Sequence, residues 1–355
     1  MHMSLRVLSQ CAEINGCTVN TTAASPNIPW LSVPPPSLPK VLYIGGEGRS
    51  GSTVLEGLLS REPGTVAVGE LRQLWRRGLL DGELCGCGEP VRTCSFWSGV
   101  GRRLVGGWER LSSRALADLV ARIDRTIRIP LMASDHPEVI GSTWAAEFAE
   151  VQALVARLYA IIAEIADATV VVDSSKHPSW AFLARSSGVD LRVVHLVRHP
   201  CGVVYSSRSP VRRPQVGAGE QWMPARRPVD VSFRWLIFNV LFHVLQRRGI
   251  PTLRLRYEDF AEDPEAAVTA CLKLAEHDVS QVRVSDREHD GGMRLSGGHG
   301  IAGNPVRMGT EAIRIQVDRR WLDRLPARER WLTGLITTPM RLAYGYRVRR
   351  SARPW

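Results

Sequence analysis

The feature that most constrains the fold of this 355-residue chain is an apolar run followed by a glycine-rich turn and an apolar helical pattern. These segments read KVLYI, GGEGRSGST and VLEGLLS and together span residues 40–60. Glycines allow a turn so tight that successive backbone N–H groups point inward, and the N-terminus of the following helix favours a negative charge. The order therefore predicts a buried β-strand whose following loop holds a phosphate-like anion. A glycine-rich turn without a ligand is the alternative interpretation.

The glycine-rich loop lacks the lysine that nucleotide kinases need. Counted from Gly46, it reads G-x-x-x-x-G-S-T, the spacing of a P-loop, but Ser52 stands at the lysine position. That lysine normally reaches the β- and γ-phosphates, so its absence argues against ATP hydrolysis and γ-phosphoryl transfer. The loop still offers the forked cation of Arg49 and the hydroxyl groups of Ser50 and Thr53. These groups suit a phosphate-like group other than the end of ATP.

Four more apolar runs alternate with helical patterns along the chain. They lie at residues 65–69, 169–173, 191–197 and 252–257. Strands that alternate with helices predict an α/β fold with a P-loop-type parallel sheet of about five strands flanked by helices. Ligands of such sheets bind beyond the carboxyl ends of the strands. Polar residues follow every predicted strand, so we expect them to converge there.

The chain is predicted to form a single domain over residues 40–355, preceded by a poorly ordered extension at 1–39 that is rich in Ser, Thr and Pro. Long helical patterns at 111–128 and 141–167 predict a helical cap inserted at about 100–167. The segment at about 208–230 is rich in Pro and Arg and is predicted to be a mobile loop over the site.

The charge and cysteine content favour an anionic partner and a reducing compartment. The chain has 46 Lys and Arg against 35 Asp and Glu, for a net charge of +11. The cations are spread along the sequence without a dense block, so we do not expect nucleic-acid binding. Seven cysteines, no long apolar run and no sustained apolar segment at the N-terminus predict free thiols, no membrane span and a cytoplasmic protein.

Two motifs resemble those of sulfotransferases that use 3′-phosphoadenosine 5′-phosphosulfate (PAPS). GRSGSTVLEGLL, residues 48–59, resembles their 5′-phosphosulfate loop. LRVVHLVRHPCGVVYSS, residues 191–207, resembles their 3′-phosphate motif, with Arg198 after a strand and Ser206 eight residues later. The resemblance runs over about residues 40–260 and is greatest to the bacterial and tyrosylprotein branch.

The resemblance implies PAPS as donor, PAP as product, no metal requirement, and a hydroxyl group of a small molecule or peptide as acceptor. It also implies a set of donor-binding residues. These are Arg49, Ser50, Gly51, Ser52, Thr53, Arg198, Ser206, Tyr257, Asn304 and Arg307. The last two lie in a glycine-rich tail at 297–309, where this sequence departs from the Arg-Lys-Gly of the family.

Glu70, Lys176 and Arg49 are the catalytic residues that the resemblance implies. Glu70 would accept the proton of the acceptor, Lys176 would contact the bridging oxygen or the sulfuryl group, and Arg49 would share the developing charge. Glu70 could instead only stabilise a helix N-terminus, and Lys176 could be a surface lysine. His177 is the alternative base, because another branch of the family uses a histidine after the same strand.

Several further residues have two interpretations. Asp173, Ser174 and Ser175 either cap the next helix or, for the serines, contact the donor. Cys85, Cys87 and Cys94 form C-x-C-x₆-C, which supplies three candidate zinc ligands and no evident fourth, so we expect free thiols and no metal. An apolar acceptor pocket could be lined by three tryptophans, Trp75, Trp97 and Trp222.

The sequence thus favours a PAPS-dependent sulfotransferase that acts on a small secondary metabolite. A P-loop kinase of small molecules is the first alternative, against which the missing lysine counts. A non-catalytic protein that binds a nucleotide or polyanion is the second, against which the placement of Glu70 and Lys176 counts.

Overall fold

The computed structural model describes residues 37–134, 142–213, 215–216, 222–280, 282, 298–308 and 313–346. Most of the predicted N-terminal extension, residues 1–36, lies outside the described residues. So do residues 214 and 217–221 of the predicted mobile loop.

The described strands form a parallel sheet and a short antiparallel ribbon. They are β1 (Lys40–Gly45), β2 (Thr65–Ala67), β3 (Val170–Lys176), β4 (Asp190–Val197), β5 (Val211–Arg212), β6 (Trp222–Met223) and β7 (Thr252–Arg256). The sheet has the order β2-β3-β1-β4-β7 and every pairing in it is parallel. The ribbon pairs β5 with β6. The predicted α/β fold with five parallel strands is confirmed.

Helices lie between the strands of the sheet and after the last one. They are α1 (Ser52–Leu59), α2 (Ser95–Val105), α3 (Ser113–Ile123), α4 (Ile129–Met132), α5 (Ser142–Ala166), α6 (Pro178–Ser186), α7 (Pro200–Ser207), α8 (Pro228–Arg247), α9 (Tyr257–Glu262), α10 (Pro264–Leu274), α11 (Trp321–Arg324) and α12 (Ala327–Ala343). Four of them, α2–α5, lie between β2 and β3. A 3₁₀ turn (Leu71–Gln73) and a π-helix (Leu74–Leu80) follow β2. The helical patterns at 111–128 and 141–167 correspond to α3 and α5.

The central strand β1 is buried on both faces. Val41 and Tyr43 belong to the larger apolar core, which also contains side chains of α5 and α6. Leu42 and Ile44 point to the other face and join the core under α1 and α10. This alternation, with apolar residues on both sides, is why a continuous apolar run forms a parallel strand covered by helices on each face.

Asp173 ties the end of β3 to two helices. Its Oδ2 atom accepts hydrogen bonds from the Tyr159 hydroxyl at 2.6 Å and from Trp180 Nε1 at 3.1 Å. Its Oδ1 atom accepts from the backbone N–H of Ser175 at 2.7 Å. Helix α6 begins at Pro178 with His177 as its N-cap residue, so Asp173 does not cap it. A fully buried carboxylate is stable here because its lone pairs have partners.

Helix α8 is, among the described helices, the one that is long and apolar enough to cross a membrane by length and composition alone. Its buried side chains Val231, Trp235, Phe238, Phe242 and Leu245 are spaced three or four positions apart, and α12 packs along it. One apolar stripe against a neighbouring helix is also the pattern of a core helix.

Candidate active site

The loop between β1 and α1 is pressed against the backbone of neighbouring strands. Gly46 and Gly51 have positive φ angles of 137° and 90°. A Cβ atom on Gly46 would lie 2.2 Å from the carbonyl oxygen of Leu196, and one on Gly51 would lie 2.9 Å from the ring of Tyr257. Only glycine fits both positions. Arg49 also adopts a left-handed conformation, with φ 67°, which is uncommon for a residue with a side chain.

This loop lines a cleft at the carboxyl end of the sheet, with a volume of about 1040 Å³ measured out to its open mouth. Seven of the residues predicted for the site line it: Arg49, Gly51, Ser52, Thr53, Glu70, Lys176 and Asn304. Three arginines that the sequence did not single out also line it: Arg77, Arg213 and Arg226. Cations outnumber the carboxylates of Glu47 and Glu70 in the lining, so the cleft suits a ligand with several negative charges.

Glu70 and Lys176 form an ion pair inside the cleft. Lys176 Nζ donates to Glu70 Oε1 at 2.7 Å and to the carbonyl oxygen of Ser174 at 2.9 Å. Burial raises the pKa of Glu70, but the positive charges of Lys176 and Arg77 outweigh burial and hold that pKa below its ordinary value. Glu70 is therefore ionised at neutral pH.

A distant segment of the chain fixes the backbone of Glu70. The N–H of Glu70 donates to the carbonyl oxygen of Ile301 at 2.8 Å, and the N–H of Ile301 donates to Val68 at 2.8 Å. Gly69 and Ile301 form a parallel bridge, and a Cβ atom on Gly69 would lie 2.3 Å from the Ile301 carbonyl oxygen. Ile301, in the segment 298–308, therefore fixes the backbone of Glu70 through an isolated parallel bridge.

Glu56 is a buried carboxyl group that sequence reasoning missed. It lies on α1, where Oε1 accepts from the N–H of Gly69 at 2.5 Å and Oε2 accepts from the Ser174 hydroxyl at 2.6 Å. Burial raises the pKa of Glu56 to about 7. The only sign of it in the sequence is that it is a lone glutamate among the apolar residues of VLEGLL. Ser174 is thus held by Glu56, and the Ser175 hydroxyl accepts from the N–H of Arg72 at 3.0 Å.

Arg198 lies behind the loop and is 6% exposed. Its Nη1 atom donates to the carbonyl oxygen of Arg49 at 2.8 Å, and Nη2 donates to Asp318 Oδ2 at 3.2 Å. The guanidinium group stacks over the Tyr257 ring at 4.4 Å from its centroid, and the Tyr257 hydroxyl donates to the Gln316 carbonyl oxygen at 3.1 Å. Arg198 and Tyr257 therefore meet at the loop, although neither is part of the cleft lining.

Three other predicted donor-binding residues occupy different positions. The buried Ser50 hydroxyl donates to the carbonyl oxygen of Glu47 at 2.8 Å and so closes the loop on itself. Ser206 lies on α7, but its neighbour Ser207 is the one that lines the cleft. Arg307 donates to the carbonyl oxygens of Gly300 and Leu84 at 2.6 and 3.1 Å, so its guanidinium group holds two loops together.

His177, the alternative base, is directed away from the cleft lining. Its Nδ1 atom lies 2.7 Å from the Ser179 hydroxyl oxygen, and its ring meets Phe238 edge-on with 4.7 Å between centroids. Burial lowers the pKa of His177 to about 2, so the ring is neutral. A neutral imidazole can accept a proton, but this one is positioned against protein groups.

The tryptophans proposed for an acceptor pocket are mostly in the core. Trp75 and Trp97 are 1% and 0% exposed, so neither side chain is available to an acceptor. Trp222 on β6 is 48% exposed, and the residues after it, Met223 and Pro224, line the cleft. The β5–β6 ribbon is thus the apolar edge of the cleft.

No family model matches the sequence, and no curated protein matches it. Among solved structures, the chain is similar to the sulfotransferase domain of a Synechococcus olefin synthase, with 22% identity over 90% of this chain and 98% of that chain and a TM-score of 0.48. The sulfotransferase domain of the curacin biosynthetic pathway matches with 17% identity over 88% and 100% and a TM-score of 0.48. A sulfotransferase from Mycobacterium avium matches with 12% identity over 88% and 78% and a TM-score of 0.44. Likeness at this level does not by itself assign a function.

Replacing Glu56 should flatten the pH dependence of stability. Because the folded-state pKa of about 7 lies above the ordinary 4.5, the folded chain binds the extra proton and this contribution to stability falls as pH rises from about 5 to 7. Glu56→Gln should reduce that fall by up to ~3 kcal/mol. Urea unfolding at both ends of this range measures it. The exposed Glu265→Gln is the matched control, and equal pH slopes for the two variants would contradict the assignment.

Proposed function

We propose that the protein is a cytoplasmic sulfotransferase that transfers the sulfuryl group of PAPS to a hydroxyl group of a small-molecule acceptor and releases PAP. The observation that carries the proposal is the ion pair of Glu70 with Lys176, which lies in the same cleft as a phosphate loop without the kinase lysine. A base and a cation beside an anion-binding loop are what sulfuryl transfer needs.

The donor would be held by its two charged ends. Backbone N–H groups at the start of α1, the hydroxyl groups of Ser52 and Thr53, and Arg49 suit the 5′-phosphosulfate. Arg198 suits the 3′-phosphate, because it is a nearly buried guanidinium group that already pairs with an anion, Asp318. The phosphate would replace that carboxylate.

The transfer would form one sulfur–oxygen bond and break another. The acceptor oxygen attacks sulfur while Glu70 takes its proton, and the bond from sulfur to the bridging oxygen breaks to leave PAP. Lys176 stabilises the charge that develops on that bridging oxygen. In doing so it turns away from Glu70, whose pKa then rises because the strongest stabilising charge is withdrawn. The same movement therefore activates the leaving group and makes Glu70 a better base.

Two observations weigh against the alternative functions. The first is that Ser52 stands in the loop where a kinase needs a lysine. The second is that the carboxylate of Glu70 lies among five cations that line the cleft: Arg49, Arg77, Lys176, Arg213 and Arg226. A protein that only binds a polyanion has no use for a carboxylate among those cations, because Glu70 repels the ligand. The apolar edge formed by Met223 and Pro224 suits a small acceptor better than a nucleic acid.

PAP should bind without added Mg²⁺ and more tightly than ATP or GTP. The physical reason is that arginine and lysine side chains, rather than a metal ion, neutralise the phosphates of the donor. Isothermal calorimetry with each nucleotide, with and without Mg²⁺, measures this. A mass-spectrometric screen for acceptors that gain one SO₃ from PAPS then tests the reaction. ATP binding more tightly than PAP, or strictly requiring Mg²⁺, would favour the kinase.

Arg198→Ala should weaken PAP binding by ~2–4 kcal/mol, since a charge-assisted contact to a nearly buried phosphate is lost. Adenosine 5′-phosphosulfate has no 3′-phosphate, so its binding should weaken much less. Both ligands should share a small loss of affinity, because Arg198 also holds the carbonyl group of Arg49. Asp318→Asn removes the competing carboxylate and should therefore tighten the binding of PAP. Calorimetry on both ligands decides, and equal losses for the two would show that Arg198 does not hold the 3′-phosphate.

Glu70→Gln should lower the single-turnover rate of transfer by roughly 10²–10⁴-fold, because it keeps the size of the side chain and removes its basicity. PAP affinity should not fall, because the substitution removes a carboxylate that competes with the ligand for Lys176. His177→Asn is the comparison and should cost much less. A fast Glu70→Gln variant beside an inactive His177→Asn variant that still binds PAP would make His177 the base.

A further inference from the structure

The side chains of three cysteines and one histidine meet in a cluster apart from the cleft. Cys85, Cys87 and Cys94 come from the segment after the π-helix, and His299 comes from segment 298–308. Their potential ligand atoms, three Sγ and one imidazole nitrogen, all lie within 4.8 Å of one another. His299 is the fourth ligand that the cysteine spacing alone did not reveal.

Four of the six distances between ligand atoms in this cluster are close to those of a tetrahedral metal site, and all six are within 4.8 Å. The Sγ atom of Cys94 lies 3.6 Å from that of Cys87 and 3.7 Å from that of Cys85. The Nδ1 atom of His299 lies 3.3 Å from Cys94 Sγ and 3.7 Å from Cys85 Sγ. A tetrahedral zinc ion with ordinary bond lengths separates two sulfurs by about 3.8 Å and a sulfur from a nitrogen by about 3.6 Å.

We propose that Cys85, Cys87, Cys94 and His299 bind a structural zinc ion. Three thiols and one imidazole are a standard ligand set for closed structural sites, which leave no position open for a substrate. Binding converts the three thiols to thiolates and releases three protons to solvent, and the neutral imidazole donates its lone pair. The product carries a net charge of −1, and no oxidant or reductant is needed.

Backbone groups around the sulfurs favour the thiolate form. The backbone N–H of Cys87 donates to the Sγ atom of Cys85, and that of Trp97 donates to the Sγ atom of Cys94. In a zinc site the thiolates of both cysteines would accept hydrogen bonds from these same N–H groups.

Arg307 contacts both segments that supply the ligands. Arg307 donates to the carbonyl oxygen of Leu84, the residue before Cys85, and to that of Gly300, the residue after His299. The guanidinium group of Arg307 is partly buried, so a nearby anionic centre would offset its positive charge. The net charge of −1 on the zinc site therefore has a partner in place.

The cluster is assembled by contacts that do not involve a metal. The ring of His299 stacks on Phe96 with 4.8 Å between centroids and 7° between planes, and Trp97 Nε1 donates to the His299 carbonyl oxygen at 2.7 Å. A Cβ atom on Gly86 would lie 2.3 Å from the carbonyl oxygen of Gly298. The two segments are thus packed at contact distance, and the ligands are preorganised.

The zinc ion would tie segment 298–308 to the segment that precedes α2. Segment 298–308 also holds the backbone of Glu70 through Ile301 and places Asn304 in the cleft. This role in activity rests on the proposed function, whereas metal binding does not. The zinc site lies outside the cleft lining, so the expectation that donor binding needs no Mg²⁺ is unaffected. The expectation of free thiols without a metal is the one that the proposal replaces.

The first test is the metal content of the purified full-length protein, measured by plasma mass spectrometry. We expect about one zinc ion per chain in the wild type. Cys94→Ser and His299→Ala should lose it, whereas His299→Cys, which offers a fourth sulfur, should keep it. The buried Cys271→Ser lies outside the cluster and is the matched control. Wild-type protein without zinc after growth in zinc-supplemented medium, or unchanged zinc in Cys94→Ser and His299→Ala, would overturn the proposal.

A second measurement does not depend on the folding of any variant. Titration of metal-free wild-type protein with Co²⁺ should give the visible bands of a tetrahedral ion and thiolate-to-cobalt charge transfer, both of which Zn²⁺ abolishes. Spectra of an octahedral ion would overturn the proposal, as would a disulfide between two of the cysteines in freshly purified protein, detected by intact mass. Neither readout uses PAPS or an acceptor, so failure here is distinguishable from failure of the proposed function.

Discussion

Parallel pairing on both sides of β1 is the constraint on which the site depends. Gly45, the last residue of β1, is paired with Lys176 on one side and with His195 on the other. The glycine-rich loop after β1 therefore leaves the sheet between two strand ends, and those ends supply Lys176 and Arg198. Because side chains alternate along a strand, a one-residue slip of either neighbour would exchange its two apolar faces. The burial of both faces of the strands thus also fixes the positions of Lys176 and Arg198 beside the loop.

The cations of the site are held by carboxylates of the protein itself. Lys176 pairs with Glu70, Arg198 pairs with Asp318, and Arg226 pairs with the buried Glu47 at 3.4 Å. A buried charge without a partner is costly, so these pairs keep the cleft folded. An anionic ligand must therefore exchange one ion pair for another. Its affinity depends on the difference between the two pairs, and selectivity follows from which carboxylates it can displace.

The local sequence pattern was sufficient to predict the sheet and part of the candidate site. Each strand was a short apolar run, and Glu70 and Lys176 follow strands, so their convergence was predictable from the parallel sheet. Glu56 and His299 were not predictable in this way, because their partners are remote in sequence and neither residue lies at a strand exit. The bond from Arg307 to the carbonyl oxygen of Leu84 was likewise not predictable, because the two residues are 223 positions apart in sequence.

The bridge between Gly69 and Ile301, which fixes the backbone of Glu70, sets an order of assembly. Val68 and Ile301 are separated by most of the chain, and His299 meets Cys94 across 205 residues. The strands of the parallel sheet all precede residue 257, so a ribosome exposes a complete sheet before it exposes the segment that orients Glu70. A growing chain can therefore fold its core early, and Glu70 reaches its final position only after residue 301 has been synthesised.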